Sequence, residues 1–234
     1  MWNFIFDLDN TLYDQFIPFK QAFEICFKDT KIDSRQLYER SRFYSDNVFN
    51  LTESGELPLV EMHIYRIKSA MSDFNLAITD FEALQFQKSY KKFQQEIKLL
   101  DEFENVLNFV CRANLKIGII TNGPKYHQKK KIEQLKLKKW IAKENIIISG
   151  EVGQSKPGKE IFKIAENRMK LKPEETYYIG DSFENDVVGA KRAGWKSIWM
   201  NHYKKSYNSN ILPDYTLTDN KEALELIKKI CNAK

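Results

Sequence analysis

Two aspartates, Asp7 and Asp9, follow directly on the run Trp2-Asn3-Phe4-Ile5-Phe6, in which four of five residues are apolar or aromatic. Such a run reads as a strand hidden on both faces, as in a parallel sheet. At spacing i, i+2 in an extended chain both carboxylates project to the same side, which forces two negative charges together. The arrangement is costly unless a cation or a proton sits between them. A hard divalent metal ion and a reaction account for it.

Three further patches place polar residues just after an apolar strand. Ile119-Ile120 leads into Thr121-Asn122-Gly123-Pro124, Ile146-Ile147-Ile148 is followed by a loop ending in Ser155-Lys156-Pro157, and Tyr178-Ile179 leads into Gly180-Asp181-Ser182-Phe183-Glu184-Asn185-Asp186. In a parallel sheet all strand C-termini lie at one edge, so four sequence-distant clusters converge on one crevice. The convergent set is Asp7, Asp9, Thr121, Lys156, Asp181 and Asp186. Several carboxylates with one lysine suit a divalent cation and a dianionic phosphate together. Thr121 can hydrogen-bond a phosphoryl oxygen, and Asn122-Gly123 opens a helix whose N-terminal amides favour anions. Asp7 is then the natural nucleophile, forming an aspartyl-phosphate. Asp9 is placed to protonate the leaving oxygen and later deprotonate water.

The elements that position these groups follow from periodicity. Apolar residues at three- and four-residue spacings predict helices around 16–28, 35–49, 57–74 and 80–98, with Ser34 and Thr79 at N-cap positions. From residue 101 the pattern alternates: helix 102–113, strand 116–120, helix 124–139, strand 145–148, helix 158–170, strand 176–179, helix 184–194, strand 197–200 and a closing helix 220–231. Alternation of this kind implies a parallel sheet with right-handed crossovers. The expected fold is α/β, a Rossmann-like doubly wound core formed by 1–13 plus 101–234, with an all-helical insertion over 14–100 placed to act as a lid.

DLDNT at 7–11, TNG at 121–123, SKP at 155–157 and GDSFEND at 180–186 resemble, in order, the four motifs of the haloacid dehalogenase-like (HAD) hydrolase superfamily. The helical insertion resembles that family's C1-type cap. The resemblance implies Asp7 as nucleophile, Asp9 as acid–base, and Thr121, Asn122 and Lys156 at the phosphoryl group. It also implies Mg²⁺ held by the Asp7 carboxylate, the Asp9 backbone carbonyl and Asp181, with Asp186 coordinating the ion or orienting its waters. The superfamily's dehalogenases lack an acidic residue at the second position, so Asp9 points to phosphate esters. The segment Asp9–Asp14 is similar to the branch containing 5′-nucleotidases and small-molecule phosphatases. The phosphoglucomutase branch usually has glycine where this chain has Asn10. Gly158-Lys159 replaces the family's frequent acidic-Pro pair and adds positive charge near the crevice.

Blander readings compete at several positions. Asp7 and Asp9 suit a strand-end turn, Lys156 a surface position before Pro157, and Asp186 the brace of a following helix. The basic stretch Lys125, Lys129, Lys130, Lys131, Lys136, Lys138 and Lys139 is interrupted by Glu133 and reads as a solvated helix face, not a nucleic-acid site. Phe16 and Phe19 are candidates for stacking on a substrate base, although the insertion's aromatic residues are mostly core. His63 and Arg66 lie one helical turn apart, and His63 reads as structural or exposed.

Hydrophobic content of 42%, charged content of 29% and a net charge of +5 are ordinary for a globular protein. No apolar run is long enough to span a bilayer, and a motif that begins at residue 7 predicts no cleaved leader. Cys26, Cys111 and Cys231 form no CxxC pattern and suit a reducing, cytoplasmic setting. The expected activity is Mg²⁺-dependent hydrolysis of a small phosphorylated metabolite, with nucleoside 5′-monophosphates preferred and no nucleic-acid or membrane partner. The alternatives are phosphoryl transfer to a sugar, as in a mutase, and a non-catalytic protein-binding module.

Overall fold

The structure, a computed structural model, describes residues 1–233. The chain forms two compact units, one made of Met1–Asp14 with the chain from Lys98 onward, the other of Gln15–Ile97.

The first strand, β1 (Asn3–Phe6), is buried throughout. The Gln15–Ile97 unit is helical, with α1 (Phe16–Cys26), α2 (Ser34–Asn47), α3 (Phe49–Glu53), α4 (Leu59–Ser72) and α5 (Asp80–Phe93). Its core is aromatic: Phe19 makes edge contacts with Tyr38, Phe86 and Tyr90 at ring-centroid distances of 5.2, 5.0 and 5.8 Å. Thr79 caps α5 in a full capping box with Glu82. On α2 the cap is Asp33, whose Oδ1 accepts from the amides of Arg35 and Gln36, both at 2.9 Å. Ser34, expected there, is the first helical residue, since the Asp33 carboxylate already satisfies two of the free amides of the first turn.

The α/β unit continues with α6 (Asp101–Arg112), β2 (Lys116–Thr121), α7 (Lys125–Gln134), β3 (Ile146–Ile148), α8 (Ser149–Val152), α9 (Lys159–Met169), β4 (Thr176–Gly180), α10 (Gly189–Arg192), β5 (Lys196–Met200), β6 (Tyr215–Leu217) and α11 (Ala223–Asn232). All strand pairs are parallel, in the order β3-β2-β1-β4-β5-β6. β1 is therefore flanked by β2 and β4, and the chain changes direction across the sheet there, the place where open α/β sheets bind ligands. Ile5, Ile120, Ile147 and Tyr178 pack with Phe162, Ala165 and Trp195 in one buried cluster. Alternation turns Phe6 to the opposite face, where its ring meets Phe103 of α6 edge-on at 6.2 Å.

Several elements differ from the sequence expectation, the short helices α3 and α8 among them. Helix 124–139 stops at Gln134, because Lys136 adopts a left-handed conformation (φ 54°). The expected helix 184–194 is a wide helical turn, Phe183–Val188, followed by α10. β6 was not expected; three residues at the sheet edge carry too little pattern to be read.

Candidate active site

Phe6 of β1 pairs with Ile119 on one side and Ile179 on the other, and β2 runs two residues and β4 one residue beyond that level. Asp7 extends the ladder by one bond, its amide donating to the Ile179 carbonyl at 2.8 Å. Its side chain is buried. Lys156 Nζ, also buried, donates to Asp7 Oδ1, Asp186 Oδ1 and the Tyr178 hydroxyl oxygen, each at 2.7 Å. The Tyr178 hydroxyl donates in turn to the Ile120 carbonyl at 2.6 Å. Burial pushes the Asp7 carboxyl up to about 7; Lys156 opposes the rise, and the charges of Asp186 and Asp9 add to it. Burial works against the Lys156 ammonium, but Asp186 and Asp7 overcome it and hold the proton more firmly than on a free lysine. Lys156 is thus an interior residue, not a surface lysine ahead of a proline.

Asp9 has a different environment. Lys131 Nζ lies 2.6 Å from its Oδ1 and 2.9 Å from its Oδ2. Gln128 Nε2 donates to Oδ2 at 3.0 Å, and the Tyr13 hydroxyl donates to Oδ1. Burial alone would raise this carboxyl; the Lys131 charge and the bonds from Lys131, Tyr13 and Gln128 outweigh it and hold Asp9 well below the usual carboxylate range. Lys131 corrects the reading of the basic stretch. It is 5% exposed, while Lys125, Lys130, Lys136, Lys138 and Lys139 are exposed as expected and Lys129 bonds Glu151 at 2.9 Å. A signal was present in the sequence: Gln128, Lys131, Ile132 and Leu135 follow the i, i+3, i+4, i+7 stripe of a buried helix face. Tyr13 gave no such signal, since a buried tyrosine reads as core.

The remaining residues separate by role. Thr121 is buried at the end of β2, and its Oγ1 accepts from Gln128 Nε2 at 2.6 Å, leaving the hydroxyl proton to donate. Asn122 clasps the Lys156 backbone, its Nδ2 donating to the carbonyl and its Oδ1 accepting from the amide, both at 2.9 Å. Its side chain therefore ties two loops together instead of reaching for a phosphate. The Gly123 amide is taken by Ser149 Oγ at 2.8 Å. Asp186 also accepts from the Ser182 amide at 2.8 Å, which braces the turn after β4. Phe19 is 2% exposed and enclosed by rings of its own unit, and Phe16 lies under the Arg35 guanidinium at 3.6 Å, so packing accounts for both where base stacking was expected. Arg66 is buried and donates to Gln87 at 2.7 Å, and burial lowers it to about 10.

One carboxylate oxygen each from Asp7, Asp181 and Asp186 lies within 4.8 Å of the others. Hard oxygen donors of this kind suit Mg²⁺. The raised Asp7 carboxyl fits as well, because a cation there would relieve the like-charge crowding. The Asp9 side chain stands apart from this cluster, occupied by Lys131.

The sequence profile of the haloacid dehalogenase-like hydrolases matches residues 4–200. The chain belongs to this family. Among similar proteins, the pyrimidine 5′-nucleotidase YjjG of Escherichia coli (strain K12) is 33% identical over 146 residues, 56% of this chain and 64% of that one. A glyceraldehyde 3-phosphate phosphatase of Methanopyrus kandleri is 30% identical over 119 residues, 49% of this chain and 50% of its own. The matches thus span only half to two-thirds of those relatives. YfnB of Bacillus subtilis (strain 168) is 24% identical over 227 residues, 95% of this chain and 94% of that one. Its crystal structure, bound to magnesium, gives a TM-score of 0.73 over 97% of this chain and 98% of that chain. The fold is that of a haloacid dehalogenase-like hydrolase.

Proposed function

We propose that this protein is a Mg²⁺-dependent phosphatase that hydrolyses a small phosphate monoester through an aspartyl-phosphate on Asp7. The observation that carries the reading is geometric: Asp7 shares an acidic cluster with Asp181 and Asp186 and bonds Lys156, while Asp9, two residues on, is held outside that cluster by Lys131 and Gln128. Two carboxylates on one strand end with different partners are placed for different tasks, one facing a cation and one facing a proton to be moved.

Asp7, Asp181 and Asp186, with the Asp9 backbone carbonyl, would hold the ion. When bound, Mg²⁺ supplies positive charge that favours ionised Asp7 and offsets the charge of the phosphoryl oxygens. Asp7 attacks phosphorus and the ester P–O bond breaks, the leaving oxygen taking a proton from Asp9 in its acid form. Water then attacks phosphorus and gives a proton to Asp9, and the bond to Asp7 breaks to release inorganic phosphate. Lys131 favours the ionised form of Asp9, which the water step requires; for the first step Asp9 must take up a proton against that charge before the ester bond breaks. The Thr121 hydroxyl is free to donate to a phosphoryl oxygen, and the Lys156 ammonium reaches one by giving up one of its three present partners.

Nucleoside 5′-monophosphates are the preferred substrates, a choice supported by the similarity to the pyrimidine 5′-nucleotidase. A cytoplasmic setting belongs to the same reading. It is consistent with three free cysteines and with no helix among the described residues long and apolar enough to cross a membrane. The test is phosphate release across nucleotides, sugar phosphates and an aryl phosphate, with Mg²⁺ and with chelator. Metal-dependent release strongest on nucleoside monophosphates is expected. Silence of the folded protein on every ester would overturn the phosphatase.

A further inference from the structure

Helix α7 brings two polar side chains, Gln128 and Lys131, onto its buried face, and both end on Asp9. We propose that Lys131 and Gln128 are positioning residues that fix the Asp9 carboxylate relative to the phosphoryl-binding Thr121; the proposal rests on the acid–base reading of Asp9.

A carboxylate has about four lone-pair directions. Here Oδ1 accepts from Tyr13 and Lys131, and Oδ2 from Gln128 and Lys131, so rotation about the carboxylate axis is blocked from both sides. Gln128 Nε2 does more than brace Asp9, since it also reaches Thr121 Oγ1 at 2.6 Å and the Asn122 carbonyl at 3.1 Å. One amide on one helix therefore sets the offset between the acid–base group and a phosphoryl ligand. Placing reactive groups on a rigid element, with bonded support behind them, is how productive geometry is held. Stability is a weak explanation for the pair, because a buried ion pair is commonly no more stabilising than an apolar pair of similar volume. Its location next to the proposed nucleophile is what a catalytic role requires.

The variants are Lys131→Met, Lys131→Arg, Gln128→Leu, Asp9→Asn and the double variant D9N/K131M. They are assayed on p-nitrophenyl phosphate, whose leaving group needs little protonation, and on a nucleoside 5′-monophosphate, whose alkoxide needs it fully. K131M should lower kcat on the nucleotide by roughly ten- to a hundredfold, less than the full effect of a positioned acid–base group, and the aryl ester should lose several-fold less. KM and inhibition by inorganic phosphate should stay within about twofold of wild type, because the loss lies in the transition state. K131R should recover most of the rate. D9N/K131M should be no slower than D9N, since both changes remove one function. Q128L should shift the two esters in the same sense, and it supplies the test if K131M does not fold.

Equal losses on both esters, additive losses in the double variant, or a rise in KM and in the phosphate inhibition constant would each overturn the positioning role. If D9N itself treats the two esters alike, the acid–base reading of Asp9 falls and takes the proposal with it. If D9N discriminates between them and K131M does not, only the positioning role fails.

Discussion

The space where a side chain on Gly180 would begin is filled by the carboxylate of Asp186. Gly180 closes β4, its φ lies outside the left-handed region, and its requirement for glycine is therefore steric. The close approach lets Asp186 accept from Lys156 Nζ at 2.7 Å and from the Ser182 amide at 2.8 Å at the same time. Gly180→Ala must push Asp186 away and should cost about 1–3 kcal/mol, as overpacking does. Urea unfolding should show the loss, and calorimetric titration should show weakened Mg²⁺ binding. An unchanged midpoint would mean that the turn after β4 absorbs the methyl group.

Lys156 stands between two buried carboxylates, so its removal strands both. Lys156→Met should destabilise the protein by about 3–5 kcal/mol, the range for breaking a buried pair by removing one partner. Asp186→Asn in the same background should restore part of that loss, because it removes one of the two carboxylates left without a cation, while Asp7, already raised to about 7, can take up a proton. Denaturant unfolding of the single and double variants measures both effects. No recovery in the double variant would show that Asp7 alone dictates the need for Lys156.

The residues proposed to carry chemistry were legible because a parallel sheet gathers strand C-termini at one edge: Asp7, Thr121 and Asp181 could be placed together from their positions after apolar runs. Lys156 could be placed at the same edge from the apolar strand before it, but nothing in local periodicity says that a lysine before proline turns inward. The support around Asp9 was less visible. Lys131 sits in a run of lysines that reads as solvated face, and only its phase with Ile132 and Leu135 sets it apart. Tyr13 and Tyr178 were hidden for the opposite reason, because apolar surroundings make a tyrosine look like packing and its hydroxyl partner cannot be read from spacing. Asn122 and Asp186 show a further limit. Their polarity was legible, but whether each faces a ligand or clasps a neighbouring loop depends on loop geometry that pattern does not encode.

In the helical unit the capping box of α5 offers a clean stability test. The Thr79 amide donates to Glu82 Oε2 at 2.7 Å, and the Glu82 amide donates back to Thr79 Oγ1 at 3.2 Å. Thr79→Ala should cost about 1 kcal/mol, the usual effect of losing an N-cap side chain. Thr79→Asp should retain most of the stability, since aspartate caps by the same bond. Thermal unfolding separates the two, and equal losses would mean the cap contributes through packing.

The raised Asp7 carboxyl predicts how the metal-free protein responds to pH. Its value goes from 3.8 for a free aspartate to about 7 in the fold, so between these limits the folded state binds the proton more tightly than the unfolded state. Stability from this group is therefore present at low pH and lost as pH rises from about 4 to 7, with a slope of at most ~1.4 kcal/mol per pH unit. Asp9, held low, adds a slope of opposite sign only at the bottom of this window, near its unfolded value of 3.8, and none once pH is well above that value. His202, which burial lowers, does add slope, but equally in variants that leave it untouched. The measurement is the stability of wild type minus that of Asp7→Asn, in chelator, from pH 4 to pH 7. The difference should fall as pH rises, and saturating Mg²⁺ should reverse the trend, because the ion binds ionised Asp7. A flat difference in chelator would mean that Lys156 already holds Asp7 ionised without the metal.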